Sequence, residues 1–148
     1  MLKTDRVLTQ KQCATGPVFG GNVAAGFAVK RGSIAAFCQD GTLVPAGSAN
    51  TPSAIVAIGG ICGHGQDNTG TSNTYGATTG PGPVDMLNGC WALPFDAAPT
   101  WADKGKPVYA VDDETVSLTE APASGTARLQ VGTLAGLETD GTPYVLIP

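Results

Sequence analysis

No stretch of this chain keeps apolar residues at i, i+3, i+4 and i+7 for three turns, because glycine breaks almost every candidate helix. Short apolar runs bounded by Gly, Pro, Asn or Asp recur instead, which is the pattern of strands and tight turns. The spacing predicts strands at Phe27–Val29, Ile34–Phe37, Thr42–Pro45, Ile55–Ile61, Val84–Leu87 and Cys90–Leu93, then at Val108–Val111, Val116–Leu118, Ala127–Leu134 and Tyr144–Ile147. In Ala127–Leu134 the residues Ala127, Leu129 and Val131 alternate with Arg128, Gln130 and Gly132, the period of a half-buried strand. One helical turn is expected at Thr100–Lys104. Thr100 stands three residues before Asp103, as in a capping box, and Gly105 stops the turn.

Two hairpins look alike. "RGSIAAFCQDGTLVPAG" (31–47) and "KGKPVYAVDDETVSLTEA" (104–121) each run glycine, apolar strand, acidic turn with threonine, and returning strand. Each is followed by a further apolar strand, "AIVAIGGI" or "ARLQVGTL". Two such units predict a mainly β fold, a small barrel or sandwich built from hairpins. In the second hairpin Asp112–Thr115 reads as the turn, its acids ordinary solvated turn residues.

Residues 1–24 are expected to form an extended N-terminal arm, and residues 25–148 a single β-rich domain. Within it, residues 63–83 hold six glycines, five threonines and one charge, and read as a long loop. Val, Ile, Leu and Phe total 31 of 148 residues, so a core can form but not a large one. Only 14% of residues are charged, against ~25% in an ordinary domain, which suits a surface that lies against other subunits. The net charge of −4, with basic residues scattered, argues against nucleic acid as a partner. With no apolar run long enough to span a membrane and no apolar leader, no membrane partner and a cytoplasmic site of synthesis are expected.

Catalytic, metal-ligating and cofactor-binding residues are all expected to be absent. The four cysteines, Cys13, Cys38, Cys62 and Cys90, form no C-x-x-C pair. Cys62 with His64 is the one conceivable metal pair, and a buried thiol beside a loop histidine is the plainer reading. "GGNVAAG" (20–26) lacks the strand and helix that a nucleotide-binding loop needs. Asp112-Asp113-Glu114 lacks the spaced ligands of a calcium loop. Trp91, Phe95 and Trp101 fall close together, as core staples or as a platform for a ligand such as a carbohydrate.

"LNGCWALPFDAAPTWADKGKPVYAVDDETVSL" (87–118) and "ARLQVGTLAGLETDGTPYVLI" (127–147) resemble the tailed-phage head decoration, or capsid cement, proteins. The residues that carry the resemblance are Asp103, Gly105, Lys106, Val108, Tyr109, Val111, Asp112, Asp113, Thr115 and Val116, with Val145 and Ile147 at the end. The first half is similar more loosely, and the long loop at 66–83 departs from the pattern. The resemblance implies a structural protein, not an enzyme, on the outer face of a virion. It would bridge major capsid subunits, often as a homotrimer at a three-fold position. Another virion β-module, such as a tail-tube or fibre component, shares this composition, and a small carbohydrate- or ligand-binding β-barrel is the alternative from a different class.

Overall fold

The computed structural model describes residues 1–11, 19–71 and 76–148. Cys13 lies outside them. Among the described residues fourteen strands follow one another: β1 (Gln10–Lys11), β2 (Gly20–Gly21), β3 (Ala28–Val29), β4 (Ile34–Cys38), β5 (Leu43–Pro45), β6 (Ile55–Cys62), β7 (Gln66–Asp67), β8 (Thr78–Thr79), β9 (Val84–Leu87), β10 (Gly89–Ala92), β11 (Pro107–Ala110), β12 (Val116–Ser117), β13 (Gln130–Leu137) and β14 (Pro143–Ile147). They build a six-stranded sheet in the order β1-β10-β14-β13-β11-β12, a five-stranded sheet in the order β2-β9-β6-β4-β5, and a small sheet β3-β7-β8. Among the described residues no sheet closes on itself, so the expected barrel-or-sandwich resolves to a sandwich.

The repeat seen in the sequence is a repeat of topology. In one sheet the hairpin β4–β5 pairs its first strand with β6; in the other the hairpin β11–β12 pairs its first strand with β13. Each hairpin is entered through a glycine with left-handed backbone, Gly32 (φ 80°) and Gly105 (φ 82°). A side chain there would strain the turn, which is why glycine opens both units. Each is closed by an aspartate folding back on its own turn. Asp40 Oδ1 accepts from the Thr42 amide at 3.0 Å, and Asp112 Oδ1 from the Glu114 and Thr115 amides at 2.9 and 2.8 Å.

The two sheets share one core. Ile34, Ala46 and Ile61 from the five-stranded side meet Trp91, Leu93, Val108, Val116, Val131, Leu134, Val145 and Ile147. Alternation sends the neighbours Ala35 and Cys62 to the opposite face, where they pack with Val29, Leu43, Val84 and Met86. The middle of the five-stranded sheet, around β4, β5 and the end of β6, is therefore covered on both faces.

The turn before the second hairpin forms as expected. A 3₁₀ turn spans Trp101–Asp103, and the Thr100 amide and hydroxyl both donate to Asp103 Oδ2, at 2.8 and 2.9 Å. Lys106 Nζ donates to the other carboxylate oxygen at 2.8 Å. That bond, with the two from Thr100, holds the Asp103 carboxyl down to about 2.

Three expectations need correction. The last long strand runs Gln130–Leu137 and not Ala127–Leu134: Ala127 is exposed, and β11, which β13 pairs with, takes up Gln130, Gly132 and Thr133. The span 63–83 is not structureless, because β7 and β8 pair in parallel within it and β7 pairs with β3. Residues 72–75 of that span lie outside the described part. The described part of residues 1–24 is no free arm, since Met1–Lys11 lies on the body and β2 and Val23 already belong to it.

Candidate interaction surface

Met1–Lys11 is a strap that fastens the two sheets together. At one end the Leu2 amide donates to the Asp113 carboxylate at 3.1 Å, and the terminal ammonium lies 3.7 Å from Asp112. In the middle the Arg6 amide donates to Arg31 O, its Nε to Gly32 O at 2.9 Å, and both terminal guanidinium nitrogens to Glu114 O at 3.2 Å. Asp5 Oδ1 accepts from the Arg31 amide at 3.0 Å. Leu8 then packs on the shared core, and β1 pairs with β10 in antiparallel register, Gln10 opposite Trp91. One extended segment thus bonds the β3–β4 turn, the β11–β12 turn and the edge of the six-stranded sheet.

This overturns the reading of the acidic turn as wholly solvated. Asp113 is buried, at 3% exposure, because the strap lies over it, and its carbonyl accepts from the Ile34 amide of the other sheet at 2.8 Å. Burial pushes its carboxyl above the ordinary value, only partly opposed by the Leu2 amide and the terminal ammonium. A carboxyl with a raised folded value contributes stability fully below its unfolded value, and that contribution is lost as pH rises through the folded one. Asp113→Asn keeps an acceptor for Leu2 and removes the buried charge. It is expected to raise the melting temperature at pH 7 relative to the parent and to lose that advantage at pH 3. Melts at both values check this. Asp103 has the opposite sign: its contribution is present above the ordinary carboxylate range and is lost as pH falls through about 2.

The other residues singled out in the sequence do not assemble into a reactive site. Cys62 is buried in the core, where its thiol is pushed up to about 12 by burial and lies 3.4 Å from the Ser33 hydroxyl. His64 follows it, half-buried in the β6–β7 connection. Among the described residues no three His, Cys, Asp or Glu side chains group to hold a metal ion. Trp91 is buried in the core with Nε1 donating to Asn88 O at 3.0 Å, whereas Trp101 is 59% exposed, over Gly136 and 5.5 Å from Lys104 Nζ. The two tryptophans therefore form no common platform.

A surface that sequence reading missed lies along β6. From Gly41 to Gln66, 26 residues pass without an Asp, Glu, Lys or Arg. Its strand β6 pairs with β4 along its length but with β9 only at Ile61 and Cys62, so Ile55–Gly59 has no strand neighbour on that side among the described residues. Facing it are the start of β13 and the end of β14. Between them runs a groove of about 350 Å³ lined by Val56, Ile58, Leu129, Val131 and Ile147 among others. A second groove of about 470 Å³ continues it past Ile58 and Leu129 toward Ala36, Ala46 and Ala110. The charged side chain along either is Arg128, which is engaged: it donates to Thr119 O at 3.0 Å and lies 3.7 Å from Asp96.

Comparison of the chain with protein-family models, with curated proteins and with solved structures finds no match.

Proposed function

We propose that this chain is a capsid decoration protein, a structural module that binds the outer surface of a phage head and steadies it by bridging major capsid subunits. The observation that carries the reading is what the resemblance-bearing residues do here. Gly105 opens the second hairpin, Asp103 and Lys106 brace the turn before it, Asp112 closes it, and Asp113 holds the strap that joins both sheets. The shared pattern thus specifies one sandwich with its N-terminal segment tied down, a body suited to transmitting load between neighbours. Sparse charge supports the same reading, because surfaces without charged side chains lose little on desolvation against another subunit.

The mechanism is binding spread over many copies. Each contact is modest, and repetition over a closed shell makes the sum durable. Addition of the purified protein to expanded shells lacking it is expected to raise the temperature at which those shells rupture, in proportion to occupancy until sites are filled. Shells that rupture at the same temperature with and without it would contradict the proposal. The stretch Ile55–Gly59 of β6, without a strand neighbour on one side among the described residues, also suits a self-polymerising tail component, which would form rods without any shell.

A further inference from the structure

We propose that the strap is a latch: Met1–Lys11 lifts off as a unit while the sandwich stays folded, and a negative charge on Asp113 favours the open form. The argument starts from how little the strap buries. None of residues 1–9 is fully buried; Leu2, Arg6 and Leu8 are half-buried, and Met1 and Val7 stand 71% and 80% exposed. A cleft of about 60 Å³ beneath it is lined by Arg6 and Leu8 on one side and Ile61, Cys62, Leu87 and Trp91 on the other, so the seat is not closely packed. The sheets it fastens also hold together without it. β10 pairs with β14 over all four of its residues. Ile34, Ala46 and Ile61 pack into the core of the six-stranded side, and the Ile34 amide donates directly to Asp113 O. A segment held mainly by hydrogen bonds, with little apolar burial, opens at a lower free energy than the whole fold.

Charge decides how firmly the latch closes. The Leu2 amide lies 3.1 and 3.3 Å from the two Asp113 carboxylate oxygens, and the closed strap keeps that carboxyl from water. Facing it on the strap are the terminal ammonium and Arg6, on its own turn Asp112 and Glu114, and from β6 the Cys62 thiol, which stays neutral. Two positive groups thus stand against two negative ones, and Arg6 directs its donors to the carbonyls of Gly32 and Glu114. Burial is left as the largest effect, and it favours the protonated carboxyl. With the strap open Asp113 meets water as an ordinary carboxylate. The latch is therefore firmest in acid and loosens as pH rises through the folded value. Opening bares the outer edge of β10, with Trp91 and the Cys62 thiol.

Amide hydrogen exchange of the full chain, resolved by NMR and corrected for intrinsic rates, tests both halves of the proposal. The Arg31 amide donates to Asp5 and the Ala92 amide to Thr9 O, both on the strap, whereas the Ile34 and Leu134 amides bond within the sandwich. In the parent at pH 7, Arg31 and Ala92 are expected to exchange at least ~10-fold faster than Ile34 and Leu134. Asp113→Asn should slow Arg31 and Ala92 severalfold at pH 7 and leave them unchanged at pH 3, where both side chains are neutral. Arg31 and Ala92 amides as slow as those of Ile34 and Leu134 in the parent would overturn the latch. Strap-bonded amides that exchange equally fast in parent and variant at pH 7, or faster in the variant, would overturn the role of the charge.

Discussion

Gly132→Val is expected to prevent this chain from folding, or to leave it with only a small fraction of its stability. Gly132 lies in β13 opposite Val108 of β11, next to Thr133, which pairs with Leu146 of β14 on the other side. A Cβ at Gly132 would run into the Leu146 carbonyl oxygen, with the carbonyl carbon at 2.9 Å and Ile147 Cα at 3.3 Å. All three obstacles are backbone, so no rotamer change relieves them. Relief requires β14 to move away from β13, and β14 carries Val145 and Ile147 into the shared core. Overpacking a core costs about 1–3 kcal/mol where side chains can yield, and here none can, so the loss should exceed about 3 kcal/mol. For a domain whose whole stability is of order 5–15 kcal/mol that is a large share. Urea titration followed by tryptophan fluorescence, in which the buried Trp91 becomes exposed, measures it. Gly41→Ala is the control: its added Cβ meets nothing within 4 Å, and only its φ of 82° costs, by roughly 1 kcal/mol.

Ile34→Ala is expected to cost about 2–5 kcal/mol, the range for truncating a fully buried aliphatic side chain. Ile34 has no exposed surface and sits where the two sheets meet. Its side chain joins the shared core, its amide donates to Asp113 O of the other hairpin, and its carbonyl accepts from Ala46. At roughly 2–4 °C per kcal/mol for a chain of this size, the melting temperature should fall by about 4–20 °C. Because the core is common to both sheets, the variant should still melt in a single transition. A variant in which one sheet melts ahead of the other would show that the sandwich is two bodies.

What could be read from the sequence was local. The Asp40-Gly41-Thr42 and Asp112–Thr115 turns, the Thr100–Asp103 cap and the two-hairpin repeat all rest on residues within a few positions of each other. Their hydrogen bonds form where the spacing placed them. What could not be read depended on partners distant in sequence. Asp113 looks like any turn acid until the N-terminal strap covers it. The limits of β13 were misplaced because Gly132 and Gly136 give an apolar pattern no side chains to register. Gly132 is needed because the Leu146 backbone comes too close for a Cβ, and at Gly136 a Cβ would press on the Trp101 ring. β7 and β8 consist of Gln-Asp and Thr-Thr, too short and too polar to show an apolar alternation, and are held by Ala28–Val29 and by each other. The β6 groove was hidden for a related reason. An apolar strand reads as core, and only the fold places Ile55–Gly59 of β6 without a strand neighbour on one side among the described residues.

The capsid reading is tested most directly by co-sedimenting the purified protein with shells that lack it, both before and after expansion. Saturable binding at a fixed ratio to the major capsid protein, on expanded shells and not on unexpanded ones, is the predicted result. Absence of binding to either form, with the protein assembling into rods by itself, would contradict it and assign the sandwich to a tail.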